Sequence, residues 1–417
     1  MKRRSLLIAT GTIGALSGCS GNPSSNGTAS ETSTNSESES ETVEPAVFSV
    51  SNLSFSESPV PAGDEVTVTV TVENTGEESG SKTLVLRVDQ ESVAEESVEL
   101  SGGESTTVEF VFETTRPKTH TVSVGNLEKT IDATATEVGG VIDSETTWTV
   151  DDDPYQVVET VQVDSGTTLT IEPGVTVWAA DDLRGEPLFI LHGEIVASGS
   201  SSEMITFDAG KSSATFFDAE NSSPEAFLEA EHCVIRNGGP FWMRGYGGFN
   251  LRQSELHNVD ASYIWYPYQI AYDGYDIQQS EINIEHNTFI DSGGFSIGHD
   301  DRNLDGKVTV NIRYNVFSGF IPATYGGLIN NWASYGSSET VIEYNSFLEM
   351  TDEVVLKLPE GYDDAAMTVS NNYWGVTDEE TIEKMVFDSN DNIQSAGEID
   401  YGPVLDAPHP DTPSIDE

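Results

Sequence analysis

One short phrase, repeated, limits what this chain can fold into more than any other feature. It runs Ile284-Glu285-His286-Asn287-Thr288-Phe289, then Ile312-Arg313-Tyr314-Asn315-Val316-Phe317, then Ile342-Glu343-Tyr344-Asn345-Ser346-Phe347. It closes as Val369-Ser370-Asn371-Asn372-Tyr373-Trp374-Gly375. The asparagines lie 28, 30 and 27 residues apart (315 − 287, 345 − 315, 372 − 345). Degraded copies precede them at Leu251–Leu256 and Ala230–Ile235. A regular spacing of one apolar, one Asn and one aromatic position is the mark of a stacked repeat. A parallel strand cannot return by a hairpin, so each copy must complete a circuit before it pairs with the layer above. Three short strands and three turns fill that length. The Ile and Phe of each copy then stack inward. The Asn is expected at the turn, in the left-handed conformation, with its amide bonded to the Asn above and below. The Asn series therefore reads as structural.

The flanks fit the same architecture. Thr168-Leu169-Thr170-Ile171-Glu172-Pro173-Gly174-Val175-Thr176-Val177 alternates apolar and polar residues around a Pro-Gly turn, and Ile190–Ile195 and Ile205–Phe207 continue the series. This entry segment, with Asn371–Gly375 and Asp400-Tyr401-Gly402-Pro403 at the exit, resembles right-handed parallel β-helices of the pectate-lyase-like kind. The resemblance covers residues 138–408 and implies fold rather than activity. Helical pattern is confined to Asp378–Val386.

Ahead of the repeats, residues 47–134 alternate with period two. Val66, Val68, Val70 and Val72 share one face and Thr67, Thr69 and Thr71 the other, before Asn74-Thr75-Gly76 ends the run. Further runs at Thr83–Val88, Ser92–Leu100, Thr106–Phe112 and Thr119–Val124 bring the count to six or seven strands, a β-sandwich. With the Ser101–Ser105 turn, the unit resembles CARDB-type, immunoglobulin-like domains of prokaryotic surface proteins. That resemblance implies a spacer or adhesion module. The fold expected is all-β: an N-terminal β-sandwich followed by a right-handed single-stranded parallel β-helix, with residues 409–417 as a tail.

The first residues read as an address. Met1-Lys2-Arg3-Arg4 is a basic start to an apolar run, Leu6 to Gly18, that is too short to span a bilayer and suits a signal segment. Arg3–Leu7 resembles a twin-arginine export signal, and Leu16-Ser17-Gly18-Cys19 resembles a lipobox. The resemblance implies that Cys19 carries lipid and holds the protein on the cell surface. Residues 1–19 are thus the signal. Residues 20–46, almost all Ser, Thr, Glu, Asn and Gly, are expected to be a disordered spacer. With Cys19 lipidated, Cys233 has no disulfide partner and reads as a small buried apolar residue.

Charge narrows the partners. Lys and Arg total 18 against 71 Asp and Glu, a formal net charge of −53. Such a surface does not suit nucleic acid, whose phosphates need clustered cations. A folded, carboxylate-coated chain resembles exported proteins of halophilic archaea, in which charge preserves solubility and salt screens self-repulsion.

Three constellations bear on chemistry. Asp301-Arg302-Asn303-Leu304-Asp305-Gly306 matches the first half of a calcium-loop pattern, so Asp301, Asn303 and Asp305 are candidate Ca²⁺ ligands; Ile312 stands where such a loop ends in Glu. Tyr263, Trp265, Tyr266 and Tyr268, continued by Tyr272 and Tyr275, are candidates for stacking on sugar rings, against a loop that caps the helix flank. Lys307, Thr309, Asn311 and Arg313 alternate beside Asp300, Asp301 and Asp305, a set that a calcium-assisted lyase would use. Gly298-His299-Asp300-Asp301 superficially resembles the Asp-Asp of β-helical polygalacturonases, without their following Gly-His-Gly or Arg-x-Lys phrases. Two function classes follow: a lipid-anchored surface protein that binds polysaccharide or a cell-surface partner, or builds the surface, without catalysis; and a polysaccharide lyase or glycoside hydrolase acting on acidic polysaccharide.

Overall fold

The computed structural model describes residues 43–183, 185–210, 212, 214–219, 226–239, 241–244, 248–266, 280–299, 308–332, 338–361 and 365–415. Pro45–Glu417 form one compact unit. The expected signal, Cys19 and most of the Ser/Thr/Glu-rich stretch lie outside the described residues.

The first domain has eight strands: β1 (Phe48–Phe55), β2 (Val60–Pro61), β3 (Glu65–Asn74), β4 (Gly80–Val88), β5 (Glu91–Leu100), β6 (Ser105–Glu113), β7 (Lys118–Val124) and β8 (Leu127–Thr134). They form two sheets, β1-β3-β6 and β2-β8-β7-β4-β5. The alternation in β3 has the expected effect. Val66, Val68, Val70 and Val72 are fully buried against Leu84, Leu86, Phe110, Val122 and Val124. Burial of a Val or Phe side chain stabilises by about 1.5–3 kcal/mol each, which holds the sheets face to face.

Ala135 alone separates β8 from Thr136–Ile142, which is already the first strand of the coil stack and pairs in parallel with Tyr155–Val163. The join is also pinned from the side. Arg116, in the turn before β7, donates to the Ala179 carbonyl (2.9 Å), pairs with Asp181 (2.9 Å) and lies 5.8 Å over the Trp178 ring. Gly210 makes room for it, since a Cβ there would meet the guanidinium at 2.2 Å.

The rest of the chain is a parallel β-helix built from three stacks of parallel strands. Sheet A holds nine strands, from Thr146–Trp148 to Met367–Ser370. Sheet B runs from Thr136–Val138 to Ser346–Leu348, and sheet C from Gly140–Ile142 to Val386–Phe387. Each coil passes A, B, C and returns to A one layer on. The core is columnar. Leu251, Ile284, Ile312, Ile342 and Val369 pair in register on sheet A. On sheet B, Phe289 and Phe317 stack at 4.5 Å, and Phe317 and Phe347 at 5.5 Å. Trp374, wholly buried, ends this column against Tyr401. A short helix, α1 (Glu379–Lys384), N-capped by Asp378, covers the last coil with Ile382.

The Asn ladder is present, with one correction. The left-handed residue is not the Asn but the one before it: His286 (φ 58°), Tyr314 (φ 55°), Tyr344 (φ 59°) and Asn371 (φ 55°). That bend turns the following Asn into the coil, where Asn287, Asn315, Asn345 and Asn372 are all fully buried. The Oδ1 atoms of Asn315, Asn345 and Asn372 each accept twice from the layer before, as Asn345 does from the Asn315 backbone N–H (3.0 Å) and its Nδ2 (2.9 Å). Each Nδ2 also donates to a carbonyl of the preceding coil, Ile284 for Asn315 and Ile312 for Asn345 (2.8 Å each). The column extends upward through the degraded copies. His232 and Gln253 are left-handed, Ser254 N–H donates to Asn287 Oδ1, and Cys233 N–H donates to Ser254 Oγ (3.0 Å each).

Candidate functional site

The three corners of the helix differ in what they allow. Between sheets A and B the turn is two residues in each of the later coils: 253–254, 286–287, 314–315 and 344–345. Between B and C a second left-handed column, Asn237, Asn258, Asp291, Gly319 and Glu349, makes the bend. From C back to A the connections vary most, from residues 192–193 to residues 267–279. This third corner is where the sequence candidates fall.

Tyr263, Trp265 and Tyr266 belong to the sheet C strand Ser262–Tyr266 rather than to a capping loop. Its backbone pairs with Trp242–Arg244 on one side and Phe295–His299 on the other. The regular coil continues through this strand, with Ile264 buried. Tyr268, Tyr272 and Tyr275 lie outside the described residues, as do Asp300, Asp301, Asn303, Asp305 and Lys307. Chain connectivity relates the two segments. Tyr266 pairs with His299 where they leave, and Ser280 pairs with Val308 where they return. Among the described residues no group of three His, Cys, Asp or Glu is placed to hold a metal.

Thr309, Asn311 and Arg313 do alternate on the outer face of sheet A, but Asn311 and Arg313 are engaged by their neighbours in the stack. Asn311 is 2% exposed and donates to Asn283 Oδ1 (3.0 Å), which in turn donates to Asn250 (3.0 Å) and that to Glu229 (2.7 Å). Beside it runs a column of alternating sign, Glu231, Arg252, Glu285, Arg313 and Glu343, in strand register. Arg252 reaches Glu285 (3.5 Å) and Glu229 (2.9 Å), and Arg313 reaches Glu343 (3.4 Å). Opposite charges one layer apart satisfy each other across the sheet. Arg313, placed by the sequence reading in a catalytic set, is therefore an ion-pair partner within this ladder.

Two hollows were not legible beforehand. The first lies on the A–B corner. His286, Tyr314 and Tyr344 stack ring on ring at 4.9 and 5.0 Å, and His409 tilts against both tyrosines. The segment after His409 crosses this spine, and Asp411, Thr412 and Pro413 close a 290 Å³ hollow over His232, Gln253, Glu255, His286 and Thr288. Tyr314 is pushed above the usual phenol range, first by burial and then by Tyr344 and Asp411. Glu255 is held below the usual carboxylate range by the hydrogen bond from His257 (3.3 Å). The second hollow, about 510 Å³, lies in the sandwich between β1 and β4, with Lys82 and Arg87 on its wall.

Residues 44–136 match the CARDB family model. The CARDB match thus coincides with the sandwich and stops where the coils begin. No curated protein matches the chain. Among solved structures the chain is similar to a β-glucosidase from Erythrobacter marinus (20% identity, TM-score 0.20, 21% of this chain and 15% of that one). It is similar also to a β-glucosidase from Listeria innocua in complex with gluconolactone (20% identity, TM-score 0.20, 22% and 16%). A third is a cycloisomaltooligosaccharide glucanotransferase from Paenibacillus sp. complexed with cycloisomaltoheptaose (21% identity, TM-score 0.20, 27% and 20%). The chain spans at most 20% of the length of these proteins.

Proposed function

We propose that this protein is an exported, lipid-anchored surface protein, held through Cys19, whose CARDB sandwich and β-helix act as one stiff body that displays a binding edge without catalysis. The observation that carries this reading is the direct join of the two domains. A single residue separates β8 from the first coil strand, and Arg116 locks the side of the junction. A domain meant to move independently would be tethered through a flexible linker. The repeat polar residues support the same reading, since Asn283, Asn311, Arg252 and Arg313 bond along the stack instead of converging on a cavity. The ligand proposed is an acidic polysaccharide or a surface partner, met at the C-to-A corner that carries Tyr263, Trp265 and Tyr266, with Ca²⁺ at Asp301, Asn303 and Asp305 as its bridging ion. The acidic surface suits a salt-rich exterior.

Incubation with uronate-containing polysaccharide tests the reading, with Ca²⁺ and with chelator. Calcium-dependent retention with no new reducing ends or unsaturated products supports it. Product formation assigns the edge to a lyase or hydrolase instead. Cys19→Ser is expected to move the protein from the membrane fraction to the medium, and unchanged membrane retention would sink the anchor.

A further inference from the structure

The sandwich has an incomplete sheet edge. On one side, β4 pairs along its whole length with β5, from Gly80↔Leu100 to Val88↔Glu91. On the other side, β7 covers only Leu86–Val88 before the chain turns away at Gly125 (φ 62°). Gly80–Val85 therefore have no strand neighbour on that side among the described residues. Facing them across the hollow is β1, which pairs with β3 alone. A strand edge left open carries a row of backbone donors and acceptors that templates another strand.

The hollow has the dimensions and chemistry of a strand site. Lys82–Val85, which line the hollow, extend about 10–13 Å at roughly 3.3 Å per residue, and Ala46 and Phe48 pack against Gly80 at its end. Phe48 and Val50, half-buried, supply apolar surface, and Lys82 and Arg87 supply charge; none of the residues around the hollow is Asp or Glu. That is unusual in a chain with 18 basic and 71 acidic residues. The neighbouring cations are engaged: Lys118 pairs with Asp89 (2.8 Å), Arg116 with Asp181 (2.9 Å), and Lys129 lies over Phe55. The closest carboxylate in sequence, Asp89, is taken by Lys118 and His120. Neither Lys82 nor Arg87 is in an ion pair among the described residues; Arg87 donates only to the Gln90 carbonyl (3.3 Å).

We infer that this groove takes an extended acidic polypeptide segment by strand addition to the free edge of β4, continuing the line of β7, with its carboxylates on Lys82 and Arg87. Main-chain bonds supply affinity in such a mode, and the side chains flanking the edge supply selectivity. The partner is a polypeptide because the open groups are a strand edge, and it is acidic because the only charges offered are positive.

The test uses the full-length chain and two synthetic peptides of about six residues, the usual strand length; one carries Glu on both faces (Val-Glu-Glu-Val-Glu-Glu), because Lys82 and Arg87 lie on opposite faces of β4, and the other carries Lys in the same places. Hydrogen exchange is followed with each at low ionic strength. The Val/Glu peptide is expected to slow exchange at Thr83 and Val85, and the Val/Lys peptide to leave it unchanged. Lys82→Glu and Arg87→Glu should each weaken the Val/Glu peptide by about fivefold to tenfold, while far-ultraviolet circular dichroism stays at wild type. Salt at 1 M should weaken it too, where the screening length is about 3 Å. Equal binding of both peptides, binding that leaves Ser81–Val85 unprotected, or polygalacturonate that competes without protecting these amides would each overturn strand addition.

Discussion

The Asn ladder makes a sharp prediction at Asn345, which has an Asn on either side of it in the column. The side chain takes part in five hydrogen bonds. It accepts from the Asn315 backbone and amide, and donates to Ile312, Glu343 and Asn372. Asn345→Ala does not cost five equal amounts. The Asn315 amide keeps its bond to Ile284, and Asn372 Oδ1 keeps the Asn345 backbone N–H (2.8 Å). The Asn315 backbone N–H, wholly buried, loses its acceptor, which costs about 1–3 kcal/mol. The other lost bonds add about 1 kcal/mol net apiece at most, and some relax, so the loss should be about 3–5 kcal/mol. Urea denaturation reads the midpoint without changing ionic strength, and hydrogen exchange at Asn315 reports the layer itself. Asn345→Asp keeps the acceptor but sets a carboxylate against Asn372 Oδ1 and two carbonyls; it should be less harmful at acid pH, where the protonated form donates one bond. A shift for Asn345→Ala of about 0.5 kcal/mol, typical of a surface change, with Asn315 still protected, would refute the reasoning.

Three further predictions are independent of that column. Burial would raise the Asp89 pKa, but hydrogen bonds from Lys118, the Thr121 N–H and His120 outweigh it and lower the pKa from 3.8 to about 2. Its folded value lies below the unfolded one, so its stabilisation is present above pH ~4 and fades as pH falls through about 2. The side chain is 36% exposed, so solvent screening cuts the contribution to about 1 kcal/mol, and Asp89→Asn should flatten acid unfolding over that window by this amount. Burial also pushes the Cys233 thiol up to about 12, so iodoacetamide should label it only in denaturant, as mass spectrometry will read. Arg116→Ala should cost about 1–3 kcal/mol and open the domain junction to protease, and Gly210→Ala, strained in either background by its φ of 56°, should be more harmful while Arg116 is present; strictly additive losses would separate the two.

Much of the fold was readable because the repeat and the alternation are one-dimensional signals. Val66–Val72 and the Ile and Phe columns fall where their spacing puts them, because period two and the coil period each fix a buried face. The left-handed position was misplaced by one residue. Asn tolerates that conformation, and nothing in the phrase reveals that burial of its amide matters more than its backbone tolerance. The fate of Arg313 was hidden for another reason. Its partner Glu343 is 30 residues away, a distance (343 − 313) that becomes a neighbour only once the layer register is known. The β4 groove depends on where β7 stops pairing, a length mismatch between two strands that neither shows alone.

The ladder also explains why variation collects at particular corners. A two-residue A-to-B turn keeps every Asn in one column, so one inserted residue must displace an Asn from its neighbours. Insertion of Ala between Tyr344 and Asn345 would shift Asn345 out of line and strand the buried Asn315 N–H, as the Ala substitution does, and would break the pairing of Phe317 with Phe347 as well. A loss of at least about 3 kcal/mol follows. The same residue inserted between Thr351 and Asp352 enters the exposed stretch 351–353 of the B-to-C connection, between the buried Met350 and Val355, where no Asn ladder passes. Lengthening such a loop by one residue costs only a few tenths of a kcal/mol. Urea midpoints of the two variants should therefore differ by several times the error of the measurement. Similar midpoints would mean that the Asn column does not set the layer spacing, and that the binding edge proposed at the C-to-A corner has no structural reason to lie there.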